Sequence, residues 1–166
     1  MDTSFAGARA MPTEYFCYTD GSCKSGEEAP GGWGFFIKTP GGAPLEGYGS
    51  ATRTLSKVME YTAVAEALEA LPAGARATVF SDNQALVENL QRHLEGWRQG
   101  GWTKVASNVV ELVKRIDALI LAKRLQLSWR WVRRHNGNPG NGRADELAAR
   151  GAREAKAALK AAGPIR

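Results

Sequence analysis

The sequence predicts an α/β protein built on one five-stranded mixed sheet, three antiparallel strands followed by parallel ones, with helices on both faces. Three observations carry that expectation. Residues 14–52 hold three short runs rich in aromatic and β-branched side chains, separated by Gly and Pro turns. From residue 57 the apolar period lengthens to that of a helix. Beyond it, helical and strand-like segments alternate, which is the pattern of crossover connections in a mixed sheet.

Taken in order, residues 1–12 read as a disordered lead-in, with Met11 as an alternative start, and 163–166 as a tail. Between them 13–162 form a single domain, with no repeat and no linker. The run EYFCYTD from Glu14 is a strand expected to end at the turn Asp20-Gly21-Ser22. GGWGFFIKT and PLEGYGSAT follow as strands, with Pro40-Gly41-Gly42 between them. Val58, Val64, Ala67, Leu68 and Leu71 recur at helical spacing over 57–71, and Pro72 closes that helix. RATVFS (76–81) is a strand ending at Asp82. Residues 83–94 form a helix broken by the glycines at 96–101, and 105–122 a longer one with Val109, Leu112, Val113, Ile116, Leu119 and Ile120 on its apolar side. LQLSWRWV (125–132) is the fifth strand, RRHNGNPGNGR a loop, and 144–162 the last helix.

Charge is uneven. Residues 123–166 hold eleven Lys or Arg against three acids, a net of +8, which leaves −3 for residues 1–122. A basic end is the footprint of a protein that approaches phosphates, although AREAKAALK reads equally well as a solvated helix. No apolar run approaches the roughly 20 residues of a membrane span, and the first residues lack a secretory pattern, so a cytoplasmic location is expected. Cys17 and Cys23 are expected to be free thiols, without the company a zinc site needs.

Four acids fall at the ends of expected elements. Asp20 follows the first strand and Asp82 the fourth, while Glu60 and Asp145 lie in the first turns of helices. Each alone is explained as a turn residue, a cap or a partner of the helix dipole. Together, at one edge of a sheet, they would repel strongly unless divalent cations neutralised them, and an all-oxygen set selects hard ions such as Mg²⁺ or Mn²⁺. Two such ions provide a route for in-line phosphodiester cleavage with no covalent intermediate. His135, ten residues before Asp145 in a Gly- and Asn-rich loop, is placed to move protons.

The blocks YTDGSC, PGGWGF, MEYTAVAEALEAL, FSDNQALV, GWRQGGW and WRWVRRHNGNPGNGRADELAA, in that order, resemble those of bacterial-type ribonuclease HI over residues 14–153. The resemblance implies the ribonuclease H-like fold and hydrolysis of the RNA strand of an RNA–DNA hybrid, leaving 5′-phosphate and 3′-hydroxyl ends. It implies that Asp20, Glu60, Asp82 and Asp145 bind two Mg²⁺ ions, with Mn²⁺ as an alternative, and that His135 is the mobile catalytic histidine. Arg53, Thr54 and Asn108 match positions that hold a DNA-strand phosphate. Trp97 and Trp102, with Lys104 beside them, match the basic protrusion, and at least one of the two tryptophans is expected to be buried. Lys57 and Gln84 complete the expected nucleic-acid contacts. The implied partner is the hybrid alone, with no membrane, no obligate protein partner and a monomeric enzyme.

Three departures stand out. The loop CKSGEEAPGG carries Glu27 and Glu28 and lacks an asparagine before its proline. LSKVME replaces a run that reads the hybrid minor groove, and His93 stands where an aromatic faces the DNA strand. Because RNA is told from DNA at the 2′-hydroxyl and minor groove, these changes keep open a nuclease of the same fold with altered preference. A non-catalytic hybrid-binding module is a separate alternative, which the retained acids and histidine argue against.

Overall fold

The computed structural model of the chain describes residues 14–24, 28–134 and 137–163. The lead-in 1–12, Glu27, His135 and the end of the tail lie outside the described residues.

Five strands form one sheet: β1 (Glu14–Cys23), β2 (Ala29–Lys38), β3 (Leu45–Thr54), β4 (Arg76–Ser81) and β5 (Gln126–Trp131), in the order β3-β2-β1-β4-β5. β1, β2 and β3 pair antiparallel, and β4 and β5 join parallel to β1. Five helices connect and cover them: α1 (Ser56–Ala70), α2 (Gln84–Arg92), α3 (Leu94–Gln99), α4 (Val110–Ala122) and α5 (Pro139–Ala162). Among the described residues no helix is long and apolar enough to cross a membrane.

The two sheet faces bury different chemistry because side chains alternate along a strand. Cys17, Phe35 and Ile37 face a core shared with α1 and α4, where Val64, Leu68, Val113 and Ile116 are fully buried. α1 is held at its far end by Lys123, whose ammonium donates to the carbonyls of Leu68, Glu69 and Leu71. On the opposite face, Tyr18 stacks on Phe80 at 4.5 Å and lies against Gly140 of α5. There the packing is backbone to backbone. A Cβ on Gly34 would lie 2.6 Å from the amide of Ala148, one on Gly32 2.3 Å from its carbonyl oxygen, and one on Gly151 2.1 Å from that of Gly49. Only glycine lets the helix sit so deep on the sheet.

Four expectations need correction. β1 does not end at Asp20 but runs through it to Cys23, because Asp20 pairs with Gly34 inside the β1–β2 ladder. The last helix begins at Pro139 rather than 144: the Asn138 side chain accepts from the amides of Gly140 and Asn141, and Pro139 is pre-set for the first turn. Asp145 and Glu60 are therefore each beyond the first turn of their helices. The glycines at 96–101 do not simply break a helix. α2 stops at Arg92, the short α3 follows, and α4 starts at Val110 rather than 105.

Candidate metal centre

Strand register explains how the first two acids meet. Tyr18 is level with Phe80 in the parallel β1–β4 pair, and the Thr19 hydroxyl donates to the Phe80 carbonyl at 2.9 Å. Beyond that pair Asp20 continues along β1 while Asp82 directly follows the end of β4, and a carboxylate oxygen of each lies within 4.8 Å of the other. The backbone at Asp82 is fixed by β5, whose Trp131 indole N–H donates to its carbonyl at 3.2 Å.

Glu60 arrives from α1 through a glycine contact. A Cβ on Gly21 would lie 2.6 Å from the Glu60 amide nitrogen, so the absence of a side chain there lets the helix start lie against β1. The Glu60 carboxylate then accepts a short hydrogen bond from the Asn83 side-chain amide. One oxygen each of Asp20, Glu60 and Asp82 lies within 4.8 Å of the others. Asp145 comes from α5, where Gly34 allows the carbonyl of Ala144 to within 2.7 Å of a would-be Cβ, and it lines the same cavity as Asp20 without joining the three-carboxylate group. A cavity of about 130 Å³ is lined by Asp20, Asp82 and Asp145 together with Arg134 and Asn141.

The electrostatics are severe. Asp20 is 3% exposed; its Oδ1 accepts from the Gly21 amide at 2.9 Å, and its Oδ2 has no hydrogen-bond partner. Burial, then the charge of Asp82, then Asp145 push its carboxyl up to about 8, against the smaller opposing effect of the Gly21 amide. Burial also raises Glu60, opposed by its bond to Asn83 and by the charge of Arg134. A buried carboxylate oxygen with no donor, facing other carboxylates, is costly unless a cation sits beside it. The donor set is all oxygen, with no Cys or His among the described members, so it fits a hard divalent cation. The turn and cap explanations fail for Asp20, which is buried mid-strand, and the helix cap next to Asp82 is Asn83, whose side chain accepts from the Leu86 amide.

The expected nucleic-acid contacts are spread over the surface. Trp97 and Lys104 line one cavity with Arg92 and His93. Trp97 and Trp102 are both half-buried against the core, so neither is fully buried as expected. Arg53 is exposed, and its guanidinium is paired to Glu28 at 3.2 Å. Thr54 is buried, with its carbonyl accepting from the Cys23 thiol at 3.5 Å. Lys57, Gln84 and Asn108 are exposed. Cys17 and Cys23 are free; burial pushes the Cys17 thiol up to about 12, which leaves it inert. Sequence reasoning missed Asn83, Trp131, Arg134 and Asn141 at the centre. Asn83, adjacent to Asp82, is the one whose position gave a usable signal.

The chain is also similar to known proteins over most of its length. The sequence profile of the family described as RNase H matches residues 12–153. The chain is 40% identical over 149 residues to a ribonuclease H of Polaromonas naphthalenivorans, spanning 88% of this chain and 91% of that protein. It is 42% identical over 137 residues to a ribonuclease H of Albidiferax ferrireducens, spanning 81% and 91%. Among solved structures it is similar to LC9-RNase H1, described as a type 1 RNase H with the type 2 active-site motif. That match has a TM-score of 0.72 and 26% identity, and covers 87% of this chain and 74% of that one.

Proposed function

The chain belongs to the ribonuclease H family, and from that premise we propose that it hydrolyses the RNA strand of RNA–DNA hybrids with divalent cations held by Asp20, Glu60, Asp82 and Asp145. It is a ribonuclease H, an endonuclease. The observation that carries the mechanistic reading is the convergence of Asp20, Glu60 and Asp82 oxygens within 4.8 Å, around a buried Asp20 oxygen that no protein donor satisfies. When bound, a pair of hard cations, Mg²⁺ in this reading with Mn²⁺ as the alternative, supplies the Lewis acidity for in-line hydrolysis to 5′-phosphate and 3′-hydroxyl ends.

The protein's own contribution is placement. The parallel pairing of β1 and β4 brings the Asp20 strand beside the segment that leads into Asp82, and the Asn83 side-chain amide donates to the Glu60 carboxylate and holds it in place. Asp145 closes the side nearest α5. His135 moves a proton at its imidazole during water attack or product departure. Trp97, Trp102 and Lys104 grip the DNA strand, with Arg53, Thr54, Lys57, Gln84 and Asn108 as further contacts. The enzyme acts as a cytoplasmic monomer with no obligate protein partner.

One observation favours a second reading. Arg53 is already engaged by Glu28, so a phosphate must compete with a carboxylate for that guanidinium. This supports a same-fold nuclease with altered nucleic-acid preference. Labelled hybrid, duplex DNA and duplex RNA of one sequence, each incubated with and without EDTA, separate the readings. The expected result is scission of the RNA strand of the hybrid alone, abolished by EDTA. Equal cutting of either homoduplex would establish the second reading, and binding without scission would make the chain a hybrid-binding module.

A further inference from the structure

We propose that Arg134 is the resident counter-cation of the carboxylate cluster, and that it turns to the phosphate of the strand being cut once a divalent cation stands beside Asp145. The inference rests on the functional reading above but adds a residue to it.

Among the described residues lining the carboxylate cavity, Arg134 is the one basic side chain. Its guanidinium nitrogen lies 4.0 Å from Asp145 Oδ1, and its side chain remains 64% exposed. Glu60 also feels its charge. That contact differs from those of the other arginines. Arg143 grips Glu46 with two bonds of 2.6 and 2.9 Å, and Arg98 grips Asp117 with two of 3.0 Å. Both use the guanidinium fork fully. At 4.0 Å Arg134 supplies charge without a hydrogen bond, so its donors stay available to another acceptor.

The strand end aims this residue. Arg133 turns away and lies over the exposed Trp131 ring, 5.5 Å from its centroid, while the Trp131 indole clamps the Asp82 carbonyl. Arg134 is left on the cavity side. A guanidinium and a divalent cation compete for the same carboxylates, since each repels the other. Loading the site therefore weakens the hold of Asp145 on Arg134. The nearest anion then offered is the substrate phosphate, whose oxygens match the planar fork of arginine.

Two variants test this, R134Q and the conservative R134K, each checked by thermal unfolding, where an exposed side chain predicts a parent-like transition. Calorimetric titration of substrate-free protein with Mg²⁺ is expected to show R134Q binding tighter by about two- to fivefold, the range for losing an exposed ion pair. Single-turnover hybrid cleavage at saturating Mg²⁺ is expected to fall at least about tenfold in R134Q. R134K is expected to keep parent-like Mg²⁺ affinity while recovering only part of the rate, because an ammonium lacks the fork. Unchanged Mg²⁺ affinity, or an unchanged cleavage rate, in R134Q overturns the proposal. A parent protein that does not cleave hybrid overturns the functional reading instead, and the Mg²⁺ titration still decides the counter-cation claim.

Discussion

The carboxylate wall and the tryptophan-bearing arm at 94–108 solve opposite problems. At the wall, three chain segments meet through contacts that exclude even a methyl group: Gly21 against α1, and Gly32 and Gly34 against α5. In the arm, α3 buries no residue completely, and Leu94, Trp97, Trp102 and Val105 rest half-buried against the core. The Trp102 amide donates to the Trp97 carbonyl at 2.8 Å, and Arg98 grips Asp117. Trp102 adopts a left-handed backbone, φ 69°, which a bulky side chain rarely takes without a local reason. Charges that must surround a cation need ångström placement, so they ride on regular elements packed backbone to backbone. The contact with a polyanion proposed for the arm tolerates slack, so it suits long exposed side chains such as Lys104 on short local structure.

That contrast can be broken at either end. The largest effect is expected at the wall itself: Asp82→Asn should lower hybrid cleavage by at least about a hundredfold while the melting temperature holds or rises. A rate within tenfold of the parent at saturating Mg²⁺ would contradict it. Next comes the packing beneath the wall. Gly34→Ala puts a Cβ 2.6 Å from the Ala148 amide, with rigid backbone on both sides. Overpacking of this kind costs about 1–3 kcal/mol, or about 2–10 °C of melting temperature in a domain of this size. Cleavage should fall as well, because the displaced helix carries Asp145. An alanine variant as stable and active as the parent would show that α5 has room to spare. The arm should respond least. Lys104→Ala is expected to leave the cleavage step intact, weaken hybrid binding uniformly and reduce the salt slope of binding by about one. A selective loss of the cleavage step would instead place Lys104 at the chemistry.

Much of the wall was legible before any coordinates. The order of strands and helices follows from the change of apolar period, and the four acids, far apart in the chain, drew notice because each fell near the end of an expected element. Their exact setting did not. Asp20-Gly21-Ser22 has the composition of a turn, yet the ladder to Gly34 carries the strand through it, a long-range pairing that local propensity cannot register. Asn138-Pro139 did signal a helix start, but the glycines after it masked that signal. Gly32 and Gly34 fell within an expected strand and Gly151 within an expected helix without standing out, because a glycine's value as a contact point depends on what approaches it. Arg134 and Asn141 are ordinary polar residues until folding places them beside carboxylates.

The crowding at Asp20 also fixes a sign. Its carboxyl is raised from 3.8 to about 8, so the folded protein holds a proton that the unfolded chain releases. The stability this contributes is fully present below pH 3.8 and is lost as pH rises through about 8. Without divalent cations, Asp20→Asn should therefore melt above the parent near pH 8, and added Mg²⁺ should narrow the gap.

The most direct test follows the Asp20 carboxyl carbon by NMR while pH is raised in the cation-free protein, and then again with Mg²⁺. A midpoint near 8 that drops well into the acid range once Mg²⁺ is added is the predicted result. An ordinary midpoint near 4, indifferent to Mg²⁺, would mean that the four carboxylates do not share a cation.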